Sequence, residues 1–357
     1  MRGYAGFHGE NGASEAGAGG AEGDRGVLPR ERGGEARPGR CRQGREGAAG
    51  EVASLDDSRG GGCVVTYDVG TARQGVSPHA PTVECGRVRV IVGDTRNELA
   101  RLPDNSIDCC VTSPPYWGLR DYGYDAQIGA EAQLSDYVDA LVGVFREVRR
   151  ALRPEGTFWL NIGDGYTSGN RGWRAPDKKN VARAMDYRPP TPPGLKPKDL
   201  LGIPWRVAFA LQADGWWLRS DIIWNKPNCQ PQSVKDRPTQ SHEYVFMFTK
   251  SQDYYYDSEA AREATKDGKA KRNKRTVWDV NTEPYAGAHF AVFPRDLVRP
   301  CILAGSPVDG KVLDPFFGSG TVGVVCLEER RQCVGIELKP EYAKLAEGRL
   351  RSVTITK

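Results

Sequence analysis

Apolar and polar residues alternate along Arg87-Val88-Arg89-Val90-Ile91-Val92, the two-residue period of a strand, and Gly93-Asp94 closes the run. A short helix is predicted over 95–102, followed by a buried strand over the mostly apolar stretch Ile107 to Val111. Leu134, Tyr137, Val138, Leu141, Val144, Phe145, Val148 and Leu152 then recur at helical spacing, and Arg153-Pro154-Glu155-Gly156 stops the helix. Thr157 to Ile162 reads as a buried strand, and 163–200 as a long loop rich in Pro, Gly, Lys and Arg. A helix is predicted over 204–214, and strands over 216–224 and 242–249. The chain turns polar from Ser251 and ends that stretch in the basic run Lys269, Lys271, Arg272, Lys274 and Arg275. A loop and helix over 289–303, a strand over 311–313, a helix over 322–330, a strand over 333–337 and a helix over 340–351 complete the pattern. Strands alternating with helices predict an α/β fold with a doubly wound, mostly parallel sheet.

Residues 1–82 break this pattern. They are rich in Gly, Arg, Ala and Glu, carry few large apolar residues and show no period. Such a segment buries too little surface to offset its ordering entropy, so a disordered tail is expected, or sequence upstream of the true start. The ordered domain is expected over 83–357. The chain has no apolar run of the length that spans a membrane and no secretory-type segment, so a cytoplasmic protein is expected. Nine cysteines include adjacent Cys109 and Cys110, and none forms a C-x-x-C pair. No disulfide framework and no metal site are therefore expected. The formal charge of +4 is mild, so contact with nucleic acid would rest on local patches.

Two segments carry chemistry. Thr112-Ser113-Pro114-Pro115-Tyr116-Trp117 follows a predicted strand. Its prolines fix φ and supply no N–H, which leaves the nearby carbonyls to seek donors outside a ladder. A planar amine is such a donor, and the aromatic can stack on the same group; a plain Pro-Pro turn fits the pattern as well. The second segment, Asp314-Pro315-Phe316-Phe317-Gly318-Ser319-Gly320-Thr321, joins a strand to a helix through glycines that allow close approach of a ligand. Gly318, Gly320 and Gly323 satisfy G-x-G-x-x-G, and Glu337 ends the next strand where an acid accepts ribose hydroxyls. This unit suits a nucleoside-containing cofactor, a nicotinamide cofactor included.

Taken together and in this order, the motifs resemble the β-class amino-methyltransferases of DNA. The resemblance runs from about Val88 to Leu350. It also takes in Gly93-Asp94, Trp224-Asn225-Lys226-Pro227, His242-Glu243-Tyr244 and His289-Phe290-Ala291-Val292-Phe293-Pro294. It implies a Rossmann-like fold of the S-adenosylmethionine-dependent type, that cofactor, and double-stranded DNA as partner, with the target base flipped into a pocket. By similarity, Ser113, Pro114, Pro115 and Tyr116 form the catalytic motif, with Ser113 and the Pro114 carbonyl on the amine and Tyr116 stacked on the ring. Asp94, Phe290, Asp314, Phe316, Gly318, Ser319, Gly320, Thr321 and Glu337 form the cofactor site, with Phe293 packed nearby. Ser at the first catalytic position leans toward cytosine N4, with adenine N6 as the alternative. Basic segments 169–198 and 262–275 are candidate DNA contacts, and family order favours a target-recognition region at 251–288. An RNA or protein-glutamine methyltransferase and an inactive DNA-binding module are competing readings. A cognate restriction endonuclease, a solitary bacterial or phage methylase, and a monomer or homodimer all fit the chain.

Overall fold

The computed structural model describes residues 63–66, 82–124, 127–167, 189–265, 267–283 and 293–353. In chain order the elements are β1 (Cys63–Thr66), β2 (Thr82–Cys85), β3 (Val88–Val92), α1 (Thr95–Leu99), β4 (Ile107–Thr112), α2 (Leu134–Ala151) and β5 (Leu152–Ile162). They continue as α3 (Ile203–Ala213), β6 (Trp217–Asn225), β7 (His242–Thr249), β8 (Glu263–Ala264), β9 (Lys271–Arg272) and β10 (Val277–Asp279). The chain then forms α4 (Arg295–Gly305), β11 (Lys311–Asp314), α5 (Thr321–Glu328), β12 (Gln332–Glu337) and α6 (Pro340–Arg351). Among these residues no helix is long and apolar enough to cross a membrane.

One sheet orders its strands β1-β2-β3-β12-β11-β4-β5-β7-β6-β10. The centre, β3-β12-β11-β4-β5, is parallel throughout, while β1 and β2 on one side and β7 and β6 on the other bring antiparallel ladders. The sheet is thus mixed, with the expected doubly wound core at its middle. Alternation along each central strand feeds two separate cores. Cys109, Val111, Trp159, Val312 and Cys333 face α4, α5 and α6, whereas Cys110, Phe158, Leu160, Leu313 and Val334 face α1, α2 and α3. Helix α2 buries Tyr137, Leu141, Val144, Phe145 and Val148 along one stripe. Each such fully buried side chain stabilises the layer by about 2 kcal/mol.

Three expectations are corrected. Cys63–Thr66 forms a strand paired with β2, inside the segment read as a tail; the rest of 1–81 lies outside the described residues. Cys85 is disulfide-bonded, where no disulfide framework is expected from the sequence. The pairing places Cys63 opposite Cys85, a proximity that sequence spacing does not reveal. Strand β5 also begins at Leu152, directly after α2, so the turn-like Arg153-Pro154-Glu155-Gly156 lies within a strand. Leu152 pairs with Ile107 before the register shifts, and the exposed Arg153 to Glu155 stretch needs no apolar pattern there.

Candidate active site

Parallel strands put their carboxyl ends on one edge of the sheet. From β11 the chain leaves through α5 toward β12, and from β4 it leaves through α2 toward β5, on the opposite face and in the opposite direction. The crevice between β11 and β4 is therefore the topological switch point, where open α/β sheets bind ligands. The chain places its two chemical segments there. Ser113 follows β4, Pro315 follows β11, and Leu313 pairs with Cys110 between them. A cavity of about 930 Å³ opens at this edge.

Asp94, Ser113, Pro114, Pro115, Tyr116, Phe316, Gly318, Ser319, Thr321 and Glu337 all line this one cavity, joined by Phe293. The volume lies at the upper end of the range for small-molecule sites and has room for two ligands side by side. Asp314 and Gly320 do not reach its wall. Phe290 lies outside the described residues.

At the cofactor end, Glu337 is buried and each of its oxygens takes one backbone N–H. Gly318 N donates to Oε2 at 2.7 Å and Lys339 N to Oε1 at 2.9 Å. Each oxygen keeps a lone pair for a hydroxyl donor. Burial raises the Glu337 pKa, against the lowering pull of those two N–H groups. Gly318 and Gly320 adopt φ of 54° and 80°, the left-handed region that favours glycine. Phe317, just before the first of these glycines, turns inward. Its ring occupies the space a side chain would need at Gly335, where a Cβ would lie 2.3 Å from Phe317 Cδ2, and at Gly323, 2.7 Å from its Cζ. Phe317 thus pins the glycine loop to α5 and β12, and both it and Phe316 line the cavity. From α6, Arg349 donates to Ser319 O, Ser319 Oγ and Thr321 Oγ1 at 2.8, 2.7 and 3.1 Å, which fixes the start of α5.

Asp314 works beneath this floor. It is 1% exposed, and its Oδ1 accepts from Thr112 Oγ1 at 2.6 Å and from Phe316 N at 3.1 Å. Burial lifts its pKa to about 7, against the pull of those two donors and with a small push from Glu337. The bond ties the end of β11 to the end of β4, so Asp314 couples the two halves of the site without entering it. Asp94 caps α1, its Oδ1 accepting from Arg96 N at 2.9 Å, and pairs with the Arg96 guanidinium. Burial pushes its pKa up, but the Arg96 bonds and charge outweigh that and hold it below the ordinary value.

At the acceptor end, Tyr137 Oη donates to Pro115 O at 2.8 Å and Trp117 Nε1 to Glu131 O at 2.9 Å, which anchors the turn on α2. Among the described residues no donor meets the Pro114 carbonyl, the property expected of an amine acceptor. The Tyr116 hydroxyl donates to Glu243 Oε2 at 2.8 Å. Its pKa stands well above the phenol range, through burial first and the Glu243 charge second, with Ser113 pulling the other way. Sequence reasoning gave Glu243 no role. It also missed the cavity-lining Asn161, Asn228, Gln230 and Lys339. The ammonium of Lys339 lies 5.3 to 5.7 Å from the ring centroids of Tyr122, Tyr124 and Tyr342.

The candidate DNA segments fall elsewhere. Residues 168–188 and 284–292 lie outside the described residues. Strands β8 and β9 form a hairpin in which Arg272 and Arg275 both donate to Glu263 Oε1 at 2.9 Å, so part of the basic run is internally neutralised. Of residues 251–283, Thr282 and Glu283 line the cavity, and Asn228 holds Thr282 by both backbone groups.

Comparison with known proteins agrees with this geometry. Residues 107–348 match the N6_N4_Mtase family model, described as DNA methylase. The chain is 65% identical over 263 residues to Type II methyltransferase M.SmaI of Serratia marcescens, covering 73% of this chain and 90% of that protein. It is 64% identical over 269 residues to M.Cfr9I of Citrobacter freundii, covering 75% and 89%. Among solved structures, the cytosine-N4-specific PvuII DNA methyltransferase aligns with a TM-score of 0.58 at 22% identity, over 76% of this chain and 89% of that one. A Thermus thermophilus protein complexed with S-adenosyl-L-methionine aligns at 0.52 and 27% identity, over 75% and 94%.

Proposed function

Because the chain belongs to the N6/N4 DNA methylase family, we propose that its target is the N4 amine of cytosine within a fixed DNA sequence. The family makes it an S-adenosylmethionine-dependent DNA methyltransferase acting on an exocyclic amine. The observation that favours cytosine is Ser113, which stands in the cavity at the end of β4 in place of an acid. The likeness to a cytosine-N4-specific enzyme supports the same choice.

The residues present fit the cofactor. Glu337 offers a lone pair on each oxygen to ribose hydroxyls, and Gly318 and Phe316 border the space for the methionine end. Bound there, S-adenosylmethionine supplies an electrophilic methyl group. The chain itself prepares the acceptor. Ser113 Oγ and the Pro114 carbonyl accept hydrogen bonds from the amine, which holds the nitrogen lone pair out of ring conjugation. Tyr116 offers its ring face to the flipped base. An apolar face and two fixed acceptors exclude water and define one orientation, the source of most of the rate in such a site. No covalent enzyme intermediate is required. Cys301 is buried in α4 against Leu297 O, its thiol pKa raised by burial, and it lines no part of the main cavity.

We further propose that residues 251–288 form the target-recognition region, that the substrate is duplex DNA, and that a cognate endonuclease accompanies this cytoplasmic enzyme, as the Type II relatives suggest. The test is nucleoside mass spectrometry of DNA incubated with the protein and methyl-labelled cofactor. Label in N4-methylcytosine, lost in Ser113→Ala with cofactor affinity unchanged, is the expected result. Label confined to N6-methyladenine sinks the choice of base.

A further inference from the structure

We propose that Glu243 is a positioning residue of the acceptor half, a carboxylate that clamps the Tyr116 phenol and so fixes the ring on which the target base lies. The inference rests on the reading of Tyr116 as the stacking platform. It adds a role for a charge that no motif assigns.

Tyr116 is held at two points. Its hydroxyl donates to Glu243 Oε2 at 2.8 Å. Its ring edge lies against Gly163, where an added Cβ would sit 2.8 Å from Cε2 and 3.1 Å from Glu243 Cδ. Gly163 thus lets the ring and the carboxylate meet in space that no side chain can share. The carboxylate is itself held from both neighbouring strands. Asn161 at the end of β5 donates Nδ2 to Oε2 at 3.3 Å and to Tyr244 O at 3.1 Å. Lys226, just past β6, pairs with Oε1 and rests its ammonium 4.1 Å from the Trp224 ring centroid. Glu243 belongs to β7, whose register sets it opposite Trp224 on one side; on the other, Asn161 pairs with Val245 of the same strand.

The arrangement is costly unless it is used. Lys226 and Glu243 side chains are each 17% exposed, and a largely buried ion pair adds little net stability over an apolar pair. Yet Tyr116, Asn161, Trp224, Lys226 and Glu243 all line the cavity. A charge-assisted bond is about twice as strong as a neutral one, so a carboxylate holds the phenol more firmly than an amide or a water. Lys226 balances the charge, and Asn161 sets the direction of Oε2. The antiparallel flank of the sheet thereby aims a ring that enters from the parallel centre.

The test is a double-mutant cycle with two readouts. Tyr116→Phe and Glu243→Ala are expected to lower kcat by about tenfold to a hundredfold each, as misplacement of a reacting group does. Their double variant is expected to match the worse single variant within about twofold, because each already removes the Tyr116–Glu243 bond. Glu243→Gln, which keeps the shape of the side chain and an oxygen for the phenol but loses the charge, recovers part of kcat and falls between the native protein and Glu243→Ala, and cofactor affinity by calorimetry stays within about twofold in all four proteins. Losses that multiply, or a cofactor affinity that falls with kcat, overturn the proposal. The second readout needs no turnover. In ring-labelled tyrosine NMR, with Tyr116→Phe assigning the signal, the Tyr116 ring flips slowly in the native protein and faster in Glu243→Ala. Unchanged flipping overturns the clamp even if methyl transfer is intact. A native protein that methylates no DNA base would instead overturn the proposed function, and the ring measurement would still decide the clamp.

Discussion

Asp314 makes stability depend on pH in a way that one substitution exposes. Its pKa rises from 3.8 to about 7 on folding, because burial penalises the carboxylate more than Thr112 and Phe316 relieve it. The fold therefore favours the protonated acid. This contribution is complete below about pH 4 and is lost as pH rises through about 7. Three units correspond to roughly 4 kcal/mol across the whole range, and about 2–3 kcal/mol of that falls between pH 5 and pH 8. Asp314→Asn keeps an oxygen for Thr112 Oγ1 and Phe316 N but does not titrate. Its amide NH₂ brings a desolvation cost of its own, so the comparison is of slopes and not of absolute stability. Urea unfolding of both proteins at pH 5 and pH 8 is the assay. The variant gains about 2–3 kcal/mol relative to the native protein over that interval. A difference that stays constant to within about 0.5 kcal/mol between the two pH values refutes the reasoning, since it would mean that Asp314 titrates alike folded and unfolded.

Two further outcomes follow from the cofactor end. Glu337→Ala leaves the Gly318 and Lys339 N–H groups without their carboxylate and removes the hydroxyl acceptor; a charged hydrogen bond of about 1.5–3 kcal/mol implies roughly 10- to 100-fold weaker cofactor binding by calorimetry. Gly335→Ala drives a Cβ into the Phe317 ring, so about 1–3 kcal/mol of stability is lost in urea unfolding, and Phe317→Leu in the same chain restores part of it.

The parallel centre and both chemical segments were legible in the sequence for a physical reason. Strand period, helical spacing and a glycine loop are local properties, and their order along the chain implies which strand ends share an edge. Gly318 and Phe316 could be named because the loop carries its chemistry in consecutive residues. Phe317 and Gly335 could not be paired, since their contact joins a loop to the next strand. Asp314 reads as a ligand because it ends a strand beside the loop; that its Oδ1 accepts from Thr112, a distant partner in sequence, shows only in the fold, where the bond spans the β11–β4 seam. Glu243 was hidden for the same reason. Its partners lie at the ends of β4, β5 and β6, and no spacing in the chain brings Tyr116, Asn161 and Lys226 together. The strand at Cys63–Thr66 is short and flanked by Gly-rich sequence, so its pairing with β2 left no periodic trace.

We propose that one cavity joins a cofactor floor to a Ser-Pro-Pro-Tyr acceptor platform that selects cytosine N4. Methylation-sensitive sequencing of DNA from cells expressing the protein tests it most directly, because base and context are read in one measurement. The expected result is N4-methylcytosine at a single fixed sequence, absent from cells expressing Ser113→Ala. Methylated adenine at that sequence, or methylation with no fixed context, would contradict it.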